Sequence, residues 1–165
     1  MKLDEAKAEF IQAWGTLGTS WGINKAMAQI HALLIISPDP LTTDDIMEEL
    51  KISRGNANMN IRALIDWGIV HKIFVRGERK EYFASEKDIY ALARRVAFER
   101  KKRELDPISK LLNNLQSVKG SGKSYDEFMK VTSDLKDFSN DASTLLDKFI
   151  SHDKKWFYKV VRKLI

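Results

Sequence analysis

Apolar residues recur along most of this 165-residue chain at intervals of three and four, the spacing of one face of an α-helix. Phe10, Ile11, Trp14, Leu17 and Gly18 predict a first helix from Asp4 to about Ser20, interrupted at Trp21-Gly22. Met27, Ile30, His31, Leu34 and Ile35 predict a second, which Asn24 can cap and Ser37-Pro38-Asp39-Pro40 ends. Ile46, Met47 and Leu50 give a third helix one apolar face. Thr42 or Thr43 can cap it, and Asp45 completes a capping box with Thr42. After a turn at Lys51-Ile52, Ser53 caps a fourth helix whose buried stripe is Ala57, Ile61 and Leu64, ending where Gly68 can turn left-handed.

From Ile69 to Val75 the period changes. These residues are β-branched or aromatic apart from His71 and Lys72; Arg76-Gly77-Glu78-Arg79-Lys80 then turns the chain, and Glu81 to Ala84 returns it as a second strand. Helix, tight turn, helix and β-hairpin in that order make a winged helix-turn-helix, whose usual work is reading duplex DNA.

Beyond the hairpin the pattern is helical again. Ser85 with Asp88 predicts a capping box opening a long helix through Ile89, Tyr90, Leu92, Ala93 and Val96, with a kink or junction at Pro107. Ser124 with Glu127 predicts another, before helices carrying Phe128, Val131, Leu135, Phe138, Leu145, Leu146, Phe149 and Ile150. The last twelve residues hold Trp156, Phe157, Val160, Val161, Leu164 and Ile165, an apolar load that packs within the chain or meets a second copy, the latter being the preferred reading. The expected fold is mainly α with a small β-hairpin, divided as 1–36 (N-terminal support and dimerisation helices), 37–85 (winged helix-turn-helix), 86–118 (long linker helix) and 119–165 (C-terminal dimerisation helices).

On a helical wheel the side of the fourth helix opposite its buried stripe carries Gly55, Met59 and Arg62, flanked by Asn56, Asn58 and Ala63. An ordinary solvated face is richer in Glu and Lys. Asparagine can pair with an adenine edge, arginine with guanine or phosphate, methionine with a thymine methyl, and glycine admits a close backbone approach. The expected DNA contacts are therefore Thr42, Thr43, Ser53, Arg54, Gly55, Asn56, Asn58, Met59, Asn60 and Arg62 in the major groove. Arg76, Arg79 and Lys80 at the hairpin tip are expected on phosphates or in the minor groove.

Charge agrees with that placement. The net charge is +5, but residues 1–52 carry four Lys/Arg against eight Asp/Glu and residues 53–110 carry fourteen against eight, so the excess sits on the reading elements and the helix after them. The basic run from Arg94-Arg95 to Arg100-Lys101-Lys102-Arg103 is expected to be a solvated helix face. The chain has no cysteine, which excludes disulfides, thiolate metal sites and cysteine nucleophiles. Its N-terminus has no long apolar run, so neither a signal peptide nor a membrane span is expected, and the reading is a cytoplasmic protein. Gly122-Lys123-Ser124 has the end of a phosphate-binding loop, but Ser117 stands where that loop needs glycine and no strand leads in. His31, His71 and His152 have no triad or ligand spacing, and His31 reads as a hydrogen-bonded core residue. No catalytic residue, metal site or cofactor is expected.

The run Leu41-Thr42, Asp45-Ile46, Glu49-Leu50, Ile52-Ser53, Gly55-Asn56, Asn58-Met59-Asn60, Arg62, Leu64, Trp67-Gly68, then Gly77-Glu78-Arg79-Lys80 and Tyr82, resembles the MarR superfamily of transcriptional regulators, and within it the GbsR-like branch. The resemblance reaches back through Trp14-Gly15 and His31-Ala32-Leu33-Leu34 and covers about the first two thirds of the chain. It implies a dimeric repressor on a pseudo-palindromic operator, with the first helix joining the interface. Phe10 and Trp14 would then meet the partner together with Phe149, Trp156, Phe157, Val160 and Leu164. It also implies a small-molecule effector, for which Trp14, Trp21, Trp67 and Tyr90 could form an aromatic box suited to a quaternary ammonium ion. The alternative is a winged-helix module that binds protein instead of DNA.

Overall fold

Helix α2 (Lys25–Ile36) is buried on almost every side, and the first of two units in the chain packs around it. A computed structural model describes residues 1–164, Leu164 by its backbone alone, so the expectations for the Leu164 side chain and for Ile165 lie outside the described residues. One unit runs from Met1 to Leu92 and the other begins at Ala93.

In the first unit α1 (Leu3–Ser20) lies against α2 through glycines. A Cβ on Gly18 would run into the Cβ of Ala28, so the two backbones approach closer there than any side chain allows. Asn24 caps α2 as expected, its side chain accepting from the amides of Ala26 and Met27 at 2.9 and 3.2 Å. The other end is capped from a distance. Lys87 Nζ donates to the carbonyl oxygens of Leu34, Ile35 and Ser37 at 2.9, 2.7 and 2.7 Å, a cation on the negative end of a helix.

Helices α3 (Thr43–Leu50) and α4 (Arg54–Asp66) follow with the predicted caps. Thr42 and Asp45 form the reciprocal box, the Thr42 amide donating to Asp45 Oδ2 at 2.8 Å and the Asp45 amide to Thr42 Oγ1 at 3.2 Å. Lys51, at φ 54°, ends α3 in the left-handed region, and Gly68, at φ 68°, ends α4 the same way. Ile30 and Leu34 of α2, Ile46 of α3, and Ile61 and Leu64 of α4 are the largest fully buried side chains. The hairpin is β2 (Val70–Ile73) and β3 (Tyr82–Ser85), antiparallel, pairing Val70 with Ser85 and Ile73 with Tyr82. A third strand was not expected: β1 (Leu41–Thr42) adds to the other edge of β3, with Leu41 opposite Phe83.

Two expected helix starts are corrected. Ser85 belongs to β3, where its hydroxyl donates to the Ile69 carbonyl at 3.3 Å. Asp88 alone caps α5 (Ile89–Arg100), accepting from the amides of Tyr90 and Ala91. Ser124 likewise caps nothing: α7 (Lys123–Ser151) begins one residue earlier, from Gly122 at φ 93°.

In the second unit the helix passes through Pro107 by way of a wide π turn, Lys101–Leu105, into α6 (Asp106–Leu115). This is the junction the proline predicts, because a proline has no N–H to give the preceding turn. Helix α6 then runs antiparallel to α7, and α8 (Lys154–Leu164) follows. The basic run is not simply solvated. Arg94 Nε donates to the Ile150 carbonyl at 2.6 Å, Lys101 reaches both Asp106 and Asp147 at 3.3 Å, and Arg103 and Arg100 pair with Glu99 and Glu104 at 3.1 Å.

Candidate nucleic-acid interface

The face of α4 turned away from the core carries small, amide and cationic side chains and Met59 along its first turns, and ends on the exposed Asp66. Ser53 Oγ accepts from the Asn56 amide at 3.3 Å and fixes the helix start, leaving Ser53, Arg54 and Gly55 exposed at its positive end. A Cβ on Gly55 would meet nothing within 4 Å, so this turn is open to close approach. Met59 is 60% exposed and Arg62 is exposed one turn further on. Asn56 and Asn58 are half-buried at the edges of the same face. Arg54 forms an ion pair with Asp44 of α3, which ties the first turns of the two helices. Thr43 Oγ1 donates to Asn58 Oδ1 at 3.4 Å and makes a second tie.

Two expected contact residues do not face outward. Asn60 is 3% exposed; its Nδ2 donates to the Asn56 main-chain oxygen at 2.9 Å and to Asn56 Oδ1 at 2.6 Å. Being three residues from Ala57 and four from Leu64, it lies on the buried stripe, and its amide orients a neighbour's. Thr42 is 6% exposed, its hydroxyl and amide both engaged by Asp45. The hydrogen bonds from the Thr42 hydroxyl and backbone hold the Asp45 carboxyl below the ordinary aspartate range, and the Lys80 charge acts in the same direction.

The wing is cationic and open. Arg76, Arg79 and Lys80 are exposed around a turn in which the Glu78 amide donates to the Val75 carbonyl at 3.1 Å and Gly77 takes φ 88°. Lys72 and Glu81 pair across the hairpin below it. The strand ends at Ile73, short of the expected Val75. Phe74 is therefore 88% exposed beside the basic tip, a residue that β-propensity had assigned to the strand.

Of the four rings expected around an effector, Trp14 and Trp21 meet edge to face with centroids 6.1 Å apart, and Phe10 stacks on Trp14 at 5.4 Å. Trp67 closes α4 and Tyr90 lies in the first turn of α5, both half-buried. His31, tilted against Trp14 at 6.3 Å, is a core residue as expected, but its Nε2 has no hydrogen-bond partner among the described residues. Burial lowers its pKa to about 4. Of the residues expected at a dimer interface, Phe149 and Phe157 pack edge to face at 5.6 Å, Trp156 stacks on His152 at 4.3 Å, and Val160 is half-buried. Among the described residues no group of His, Asp and Glu is placed to hold a metal ion, and no helix is long and apolar enough to cross a membrane.

Comparison with known proteins agrees with the resemblance read from the sequence. No family model matches the chain. It is similar to the HTH-type transcriptional repressor GbsR of Bacillus subtilis (strain 168), 31% identical over 70 residues, 42% of this chain and 38% of that protein. It is also similar to the HTH-type transcriptional repressor OpcR of the same organism, 22% identical over 88 residues, 53% of this chain and 48% of that protein. The matches thus span about half or less of the length of these relatives. In structure it is similar to a crystal structure of a transcriptional regulator, with a TM-score of 0.69 and 17% identity over 88% of this chain and 95% of that one, a likeness of fold.

Proposed function

We propose that this protein is a sequence-selective, duplex-DNA-binding transcriptional regulator that acts as a repressor in the cytoplasm, with α4 in the major groove and the wing at residues 76–80 on the minor groove and backbone. The observation that carries the reading is the composition of one exposed face. Gly55, Met59 and Arg62, edged by Asn56 and Asn58, give the first turns of α4 acceptor, donor and apolar groups, with its one carboxylate, Asp66, held back to the last turn, beside a wing tip of three cations. Base edges require that mixture, and phosphates require those cations. The GbsR and OpcR names support repression.

Two copies acting together would present two such faces to half-sites about one helical turn apart, as a pseudo-palindromic operator needs. Affinity measurements on a selected site and on random duplex test the assignment. Asn58→Ala should lose about 1–3 kcal/mol on the site and little on random DNA, whereas Arg79→Ala should weaken both and reduce the salt slope by about one. Equal losses for Asn58→Ala on both duplexes would remove α4 from base reading.

The Trp14 and Trp21 pair, half-buried and exposed respectively, is where an effector would enter. Perpendicular indole faces suit a quaternary ammonium ion, with Trp67 and Tyr90 as the further walls. Titration calorimetry with choline and betaine checks this: no heat and no rise in Tm with either would discard the cation.

A further inference from the structure

The β2–β3 hairpin carries an aromatic ring that its own strands do not use. The last rung of the ladder is Ile73 opposite Tyr82. Beyond it Phe74 is 88% exposed and Val75 42%; among the described large apolar residues only Met1, at the chain end, is as open as Phe74. A lone apolar residue on a surface is ordinary. Its place here is not, because the tip of an exposed hairpin is where charge keeps an edge from pairing with other chains.

The ring stands on an ordered support. Directly after it the Glu78 amide donates to the Val75 carbonyl at 3.1 Å and Gly77, at φ 88°, closes the turn. Just before it Lys72 pairs with Glu81 across the two strands. At the foot of the hairpin β3 is bonded on both edges, to β1 and to β2, and the Ile69 amide donates to the Leu64 carbonyl at 3.2 Å, which ties the sheet to the end of α4.

The charges around the ring indicate what it meets. Arg76, Arg79 and Lys80 are exposed about the same turn against one exposed carboxylate that makes no ion pair there, Glu78, since Glu81 is taken up by Lys72. An apolar ring framed by cations matches a duplex minor groove, where phosphates line the rims and the stacked bases lie between them. Phenylalanine and leucine are among the side chains that enter that groove as wedges between base pairs.

We infer that Phe74 is a minor-groove wedge: with the wing on the duplex, its ring enters a base step and partly unstacks it. The inference rests on the wing placement proposed above and adds a source of selectivity that no hydrogen bond carries. Pyrimidine–purine steps, TA and CA/TG, kink and unstack most easily. The wedge therefore favours such a step in the minor groove about half a helical turn from the bases under α4.

The test is selection by the full chain from a pool of randomised duplexes, run in parallel for the wild type, Phe74→Leu and Phe74→Ala. Aminopurine, a base whose fluorescence rises on unstacking, then replaces the adenine of the flanking step in the duplex the wild type recovers. The wild type is expected to enrich a pyrimidine–purine step at the flank and to raise the fluorescence on binding. Phe74→Leu keeps an apolar wedge and should retain both. Phe74→Ala should recover the same central bases without the flanking preference or the fluorescence rise, and bind the wild-type duplex about tenfold more weakly. Its salt slope should stay that of the wild type, which separates a wedge from a phosphate contact such as that expected of Arg79. Because Phe74 is exposed, all three chains should melt together. A flanking preference and fluorescence rise that persist in Phe74→Ala, or that are absent from a wild type that does select central bases, would overturn the wedge and leave the regulator reading standing. A wild type that selects no sequence at all would overturn both.

Discussion

Asn60 Nδ2 donates to both the main-chain oxygen and the side-chain Oδ1 of Asn56, one turn earlier on α4, so a buried amide sets the direction of one at the edge of the exposed face. A buried amide that satisfies itself on its own helix is a positioning device. Asn60→Ala removes both bonds and should cost about 1–2 kcal/mol of folding stability. It should also weaken site-specific binding while leaving random-duplex affinity within about twofold. Urea unfolding beside paired binding isotherms checks both; unchanged stability with unchanged site affinity would show that the Asn56 amide needs no such support.

The Lys87 ammonium on three carbonyl oxygens at the end of α2 joins residues fifty positions apart. Burial lowers its pKa from the ordinary lysine value. Lys87→Met keeps the aliphatic stem and deletes the donors, so a loss of about 1 kcal/mol is expected, about 2–4 °C in Tm for a chain of this size. A Tm within one degree of wild type would mean that water caps α2 equally well.

His31 predicts an acid sensitivity whose sign is fixed. Its folded pKa is about 4 against 6.5 for the free side chain, so below pH 6.5 the unfolded chain takes up a proton that the folded chain refuses. Stability is therefore complete above that pH and falls as pH drops towards 4, by about 2 kcal/mol at pH 5. Asp45, with a pKa lowered below 3.8, loses its contribution only at lower pH, outside this window. Thermal melts at pH 7.5 and 5 should show a fall in the wild type that His31→Phe largely removes; parallel falls in both would assign the effect elsewhere.

Gly18 carries the closest approach between α1 and α2. Gly18→Val should destabilise the first unit by several kcal/mol, because the clash with Ala28 is side chain against helix and neither backbone can give. Gly55→Ala, with open space around it, should cost nothing in stability and even gain up to about 1 kcal/mol from helix propensity. The two melts together separate a packing glycine from one on an open face, and equal shifts would contradict that distinction.

What was legible in the sequence was local. The Thr42–Asp45 box, the Ser53 cap, the Ala57, Ile61 and Leu64 stripe and the basic hairpin tip all declare themselves within a few residues, and each stands in the fold. What was missed depended on partners far along the chain or on competition between equivalent signals. The two residues of β1 pair with β3 some forty positions away, and Ser85 lost its capping role to the strand that needed it. Asn60 lay on the buried stripe by spacing, yet its polar type argued for the surface. Phe128, Val131, Leu135, Phe138 and Leu145 of α7 are exposed although they have the spacing of a core stripe, because periodicity reports which residues share a face and not whether the chain itself covers it.

Selection from a pool of randomised duplexes by the full chain, at near-physiological salt, addresses the central claim most directly. The account predicts enrichment of a pseudo-palindrome with half-sites about 10 base pairs apart, which Asn58→Ala fails to enrich. Recovery of unselected sequence, with affinity that depends on salt and not on base order, would contradict it.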